Sequence, residues 1–167
     1  MSNYISKKEI NLYPKILIWL QSYLKDKYPK AEIKTFDVHS VDLSDFIQRH
    51  NYMKYFPDYS TYKMKVDLIG IITYKEKCSL VFVEVKDTQL SVRDVSQLLG
   101  YCKIVKPELA FLISPKGLAR PLNTMLVHYN RIDILQFDNY KKVKVAKWNS
   151  IRNEIEFDSV IPPIGTL

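Results

Sequence analysis

The sequence predicts an α/β sandwich built around a mixed sheet. Two stretches carry apolar residues at helical spacing, and each opens on a Ser with an acid three residues later. Short β-branched runs bounded by polar turns stand between and after them. The order along the chain is helix, strand, hairpin, helix, strand, helix, strand, and alternation of this kind builds a sheet covered by helices.

Ser6-Lys7-Lys8-Glu9 has the spacing of a capping box and precedes Leu12, Ile16, Leu20, Tyr23 and Leu24. It opens a first helix that ends near Pro29, with Pro14 in its early turns. Glu32 to Val38 reads as a strand, and Leu43 to Arg49 as a short helix within an irregular segment rich in Tyr and Phe. Lys65 to Tyr74 and Ser79 to Lys86 are two longer strands, and the polar Lys75-Glu76-Lys77-Cys78 between them predicts a hairpin. Ser91 caps a second long helix whose apolar face is Val95, Leu98, Leu99, Cys102 and Val105, closed by Pro107. Leu109 to Ser114 is nearly all apolar, as a buried central strand requires. Pro121 to Tyr129 predicts a helix and Ile132 to Phe137 a strand. Lys142 to Trp148 alternates charge with apolar side chains like an exposed edge strand, and the tail from Asn149 reads as loop or arm. The expectation is one domain over residues 1–167, with its core at about 5–148 and a C-terminal tail at 149–167.

With 167 residues the chain can bury one substantial core. A formal charge of +7 and a pI near 9.2 favour a polyanionic partner. Twelve Tyr and only four Gly suit stacking and ion pairing better than cradling phosphate with backbone. No apolar run approaches the length of a membrane span, and the start lacks the layout of a signal peptide. Cys78 and Cys102 are too few for a structural zinc site, so a reducing, cytoplasmic setting is expected. His39, His50 and His128 show no metal spacing, and no Gly-rich Lys-Ser/Thr loop offers a site for ATP.

The chemistry concentrates in the hairpin. Glu84 and Lys86 are two apart on a strand and share a face, opposite to Val83 and Val85. If the two strands pair across an even-numbered turn centred near Lys75-Glu76, Asp67 falls opposite Glu84 or Lys86 on that face. Two carboxylates so close repel unless a cation lies between them. Mg²⁺, for which Mn²⁺ substitutes, takes oxygen ligands while keeping several waters. Asp67, Glu84 and the backbone carbonyl of Val85 would be its ligands, and Lys86 would position the attacking water or neutralise charge on the phosphorane. A salt-bridged surface hairpin would present the same trio.

Asp67, Glu84-Val85-Lys86 and then Gln97-Leu98-Leu99-Gly100-Tyr101 together resemble the PD-(D/E)xK nuclease superfamily, with its restriction-endonuclease-like three-layer fold. Gln97 and Tyr101 look like the Gln-x-x-x-Tyr extension of its recombination and repair branch. The resemblance covers roughly Lys65 to Phe137 and departs at Val66, where the family name expects Pro. It implies a metal-dependent endodeoxyribonuclease of restriction or repair type, with Gln97 placing substrate or the active-site Lys and Tyr101 contacting the DNA backbone. Many members carry an acid on the first helix near the metals, which makes Glu9 a further catalytic candidate, although a capping box explains it equally well.

Arg49, Lys54, Lys63 and Lys65 would meet DNA phosphates from a basic, aromatic flap in which Tyr52, Tyr55 or Tyr62 stacks, unless that segment is a small core covering a sheet edge. Lys103 and Lys116 would extend the phosphate-tracking surface. No separate recognition domain is visible, so specificity would come from loops, a homodimer or a larger partner subunit. The rival reading is an inactive nucleic-acid-binding or assembly module of the same fold.

Overall fold

The computed structural model describes residues 5–165. Its α/β class is the expected one: a six-stranded mixed sheet with helices on both faces. The strands are β1 (Glu32–Asp37), β2 (Leu68–Tyr74), β3 (Lys77–Val85), β4 (Leu109–Ser114), β7 (Lys144–Asn149) and β8 (Glu154–Ile155), in that spatial order. A separate ribbon pairs β5 (Gln136–Asp138) with β6 (Lys141–Lys142). β1, β2 and β3 run antiparallel, β4 and β7 continue in parallel, and β8 returns antiparallel. Among the described residues, no helix is long and apolar enough to cross a membrane.

Helix α1 (Lys7–Lys27) covers one face and buries Tyr13, Ile16, Leu20 and Leu24 against Leu68, Val81, Val83 and Phe111. Gly70 lets it approach. A Cβ there would stand 2.6 Å from Leu24 Cδ1 and 3.3 Å from Val81 Cβ. Pro14 sits within α1, whose capping box forms as its spacing predicts.

The other face is covered by α2 (Leu43–Arg49), α3 (Val92–Val105) and α4 (Arg120–Asn123), the last running into a π turn over Thr124–His128. Val95, Leu98, Cys102 and Val105 of α3 pack there with Ile69, Phe82 and Leu112. The segment between β1 and β2 joins this core: Val38, Leu43, Phe46, Ile47, Tyr62 and Met64 are buried in it. Tyr62 is 3% exposed and its hydroxyl donates to Asp58, so it cannot stack on a ligand. Tyr62 is therefore not one of the stacking rings, and this part of the segment is core, the alternative that the sequence left open.

Three further expectations change. Ile132–Leu135 is a 3₁₀ turn rather than a strand, and only Gln136–Asp138 is extended. β7 is interior, between β4 and β8, with Val145, Ala146 and Trp148 buried. Alternation shows that one face is apolar; whether another strand covers the edge depends on distant residues. The described part of the tail, 149–165, is no free arm. β8 pairs with β7, Val160 is buried, and Ile161 exchanges backbone hydrogen bonds of 2.9 Å with Val145.

Candidate active site

The hairpin turn is two residues long, because Tyr74 pairs with Lys77. Lys75 adopts φ 55°, a left-handed conformation common in such tight turns. This even number sets the register Leu68↔Val83, and the next step outward puts Asp67 opposite Glu84. Asp67 lies just before β2 rather than inside it.

At this end of the ladder the two carboxylates replace backbone acceptors. The Asp67 N–H donates to Glu84 Oε1 at 3.2 Å, and the Val85 N–H donates to Asp67 Oδ2 at 2.8 Å. Both residues are nearly buried, at 6% and 5% exposure. Burial holds the Glu84 carboxyl well above its usual range, the Asp67 charge adds to this, and the Lys86 ammonium opposes it.

The first helix completes the surroundings. Glu9 forms the expected box: its N–H donates to Ser6 Oγ at 3.1 Å and its Oε2 accepts from Ser6 N–H at 3.0 Å. Ser6 Oγ in turn donates to Asp87 Oδ2 at 2.9 Å, which ties the start of α1 to the residue after Lys86. Glu9 is thereby buried beside the pair. Its carboxyl is raised by burial, countered by the Ser6 N–H and the Lys86 charge, and raised further by Asp67 and Asp87. One turn on, the buried Tyr13 hydroxyl lies beside the Asp67 carboxylate and within electrostatic reach of Glu9 and Glu84.

An open cleft of about 690 Å³ lies over these groups. Asp67, Glu84, Lys86, Lys63, Lys65 and Tyr101 all line it. Gln97 does not; its Nε2 donates to the Tyr101 hydroxyl at 3.2 Å and so orients the ring that does. Lys63 Nζ donates to Ser44 Oγ at 3.1 Å. Arg49, Lys54, Lys103 and Lys116 are exposed elsewhere, and Lys54 Nζ instead lies 4.9 Å from the Tyr55 ring centroid. Sequence reasoning missed Tyr13 and the cleft-lining His39, whose Nδ1 is 2.6 Å from Asp37 Oδ1. Tyr13 stands one turn after Glu9, a spacing that put it on the same helix face.

The donor set fits a hard cation that keeps much of its hydration. Asp67 and Glu84 each have a second carboxylate oxygen beyond the one engaged with backbone, and Mg²⁺ commonly takes one or two carboxylates with waters. Among the described residues, no three His, Cys, Asp or Glu side chains gather tightly enough to hold an ion unaided.

No protein-family model matches the chain, and no curated protein matches its sequence. Among solved structures, the chain is similar to the MspJI restriction endonuclease in complex with a 27-mer oligonucleotide, at 12% identity and a TM-score of 0.40 over 88% of this chain. It spans about a third (33%) of that chain's length, and so slight a likeness supports no inference.

Proposed function

We propose that the chain is a metal-dependent endodeoxyribonuclease of the PD-(D/E)xK type, acting by direct attack of water on a DNA phosphodiester. The observation that carries this reading is the facing of Asp67 and Glu84 beneath a cleft that also holds Lys86. Two near-buried carboxylates in mutual contact destabilise one another, and a cation removes that cost.

Asp67, Glu84 and the Val85 carbonyl would hold Mg²⁺, or Mn²⁺ in its place. When bound, the ion supplies Lewis acidity, withdrawing charge from phosphate oxygens and acidifying water. Lys86 orients the nucleophile through its ammonium and neutralises charge that develops on the phosphorane oxygens. Lys63 and Lys65 seat the flanking phosphates along the same cleft. Tyr101, steadied by Gln97, donates its hydroxyl to a phosphate oxygen. A second copy or a larger subunit would add specificity.

The test is cleavage of supercoiled, linear, single-stranded and four-way-junction DNA with Mg²⁺ or Mn²⁺, comparing the wild type with Glu84→Gln and Lys86→Ala. Both variants should lose cleavage by two orders of magnitude or more while keeping the wild-type circular dichroism. Wild-type rates in Glu84→Gln would sink the assignment.

A second reading is an inactive nucleic-acid-binding module. It is favoured by the lack of a third tightly grouped ligand side chain among the described residues. Calorimetry showing DNA binding but no Mg²⁺ binding would select it.

A further inference from the structure

At the other end of the sheet lies a second cavity, of about 980 Å³, which the proposed chemistry does not use. It is framed by the end of α1, the entry to β4, the β5–β6 ribbon and the Pro162–Gly165 segment. β4 starts opposite Val81, three residues before Glu84, and β3, β4 and β7 run parallel. The cavity therefore opens roughly 10 Å or more along the strands from the carboxylate pair, at 3.3 Å per residue.

Its charge is lopsided. Lys27, Lys141, Lys142 and Lys144 line it against one acid, Glu108. Glu108 is already engaged by Lys141 Nζ at 3.0 Å. Lys144 Nζ reaches the carbonyls of Pro162 and Pro163, both at 3.4 Å. Lys27 and Lys142 have no carboxylate partner among the described residues. The Lys144 ammonium is disfavoured first by burial and then by the charges of Lys27 and Lys142. Like charges crowded in a half-desolvated recess cost free energy that an incoming anion recovers.

The recess also offers aromatic faces. Tyr140 is 92% exposed, so packing of the fold does not explain its ring. Tyr28 is half-buried, with Lys27 Nζ 5.8 Å from its centroid. Ammonium groups beside accessible tyrosine rings match a ligand with a phosphate at one end and a flat base at the other. Pockets that enclose small ligands hold about 300–1,000 Å³, and this cavity lies near the top of that range.

We propose that this cavity is a second binding site for a nucleoside phosphate, with Lys27, Lys142 and Lys144 taking the phosphate and Tyr140 stacking on the base. The ligand is either a free nucleotide or the 5′-phosphorylated end of a DNA strand. The site does not depend on the nuclease reading.

The experiment uses the full chain carrying Glu84→Gln, in EDTA, so that neither cleavage nor metal contributes. Titrations with dAMP, inorganic phosphate, and a ten-nucleotide single strand with and without a 5′-phosphate are read by calorimetry and fluorescence anisotropy. dAMP should bind at least tenfold tighter than inorganic phosphate, or the 5′-phosphoryl strand at least tenfold tighter than its 5′-hydroxyl twin. The arm that discriminates identifies the source. Adding Lys27→Gln and Lys142→Gln should weaken that binding tenfold or more. Tyr140→Ala, at a position too exposed to disturb packing, should remove the preference for dAMP over phosphate. Unchanged binding in both variants overturns the site. So does an acidic peptide that competes as well as dAMP, since the recess would then be a generic anion surface. Loss of the nuclease reading leaves these titrations unaffected, and their failure leaves cleavage by the wild type unaffected.

Discussion

Asp67 and Glu84 each accept a backbone N–H from the other's side of the hairpin: Val85 N–H to Asp67 Oδ2 at 2.8 Å, and Asp67 N–H to Glu84 Oε1 at 3.2 Å. The pair is thus structural as well as chemical. Asp67→Ala leaves the buried Val85 N–H without its acceptor and should cost about 1–3 kcal/mol. Asp67→Asn keeps an acceptor oxygen and should cost far less. Urea unfolding would separate the two variants, while both should be inactive if Asp67 is a metal ligand.

The Glu84 carboxyl is raised from an ordinary value of 4.5, chiefly by burial. A raised carboxyl holds its proton in the folded state at pH values where the unfolded chain has lost it. Folding stability therefore falls as pH rises above about 4.5, and the cost is complete above the folded-state value. Glu9 is shifted in the same direction. In EDTA, Glu84→Gln should be as stable as wild type near the bottom of this window. Its advantage should grow with pH, as a melting point that climbs progressively above that of wild type. Thermal melts across pH 4.5–8 check this, and an advantage that shrinks with rising pH would refute it.

Glu9 has a complete structural role as a capping partner, so two substitutions are needed to test it. Glu9→Ala breaks the Ser6 box and should lose about 1 kcal/mol. Glu9→Gln can still accept from the Ser6 N–H and should keep the fold. Cleavage retained in Glu9→Gln confines Glu9 to capping. A loss of tenfold or more assigns its charge to the site.

Gly70 sets the distance between α1 and the sheet. Gly70→Ala drives a methyl to 2.6 Å from Leu24 Cδ1, and the helix or Leu24 must shift. Overpacking of this kind costs about 1–3 kcal/mol. Chemical denaturation should show that loss. Gly70→Ala combined with Leu24→Ala should recover part of it beyond the sum of the single effects.

Lys63 and Lys65 line the cleft, whereas Arg49 and Lys54 do not. Replacing both Lys63 and Lys65 by Gln should lower the slope of log affinity for duplex DNA against log salt by about 2. The same change at Arg49 and Lys54 should leave the slope unaltered. Salt titrations of both double variants, by anisotropy in EDTA, decide which basic residues meet phosphate.

Local chemistry made the main elements legible from sequence. Ser6 and Ser91 capped the helices that their spacing announced, and the Lys75-Glu76 turn was short enough to set the register of the hairpin. An even-numbered connection places Asp67 opposite Glu84 or Lys86 on one face, and the two-residue turn of the folded hairpin selects Glu84. Coverage could not. Lys142 to Trp148 reads alike as an edge or an interior strand, and β8 and Ile161 decide the matter through residues that follow it. The aromatic segment before Lys65 reads alike as flap or core, and its burial depends on α3 and β2 meeting it from elsewhere in the chain. Tertiary structure also selected which lysines share a space: Lys63 and Lys65 in the cleft, and Lys27 with Lys142 and Lys144 at the far end. Hydrogen bonds within a turn or a cap join neighbours in sequence, so sequence suffices for them. Burial and electrostatic crowding depend on which distant surfaces meet, and only the folded chain determines that.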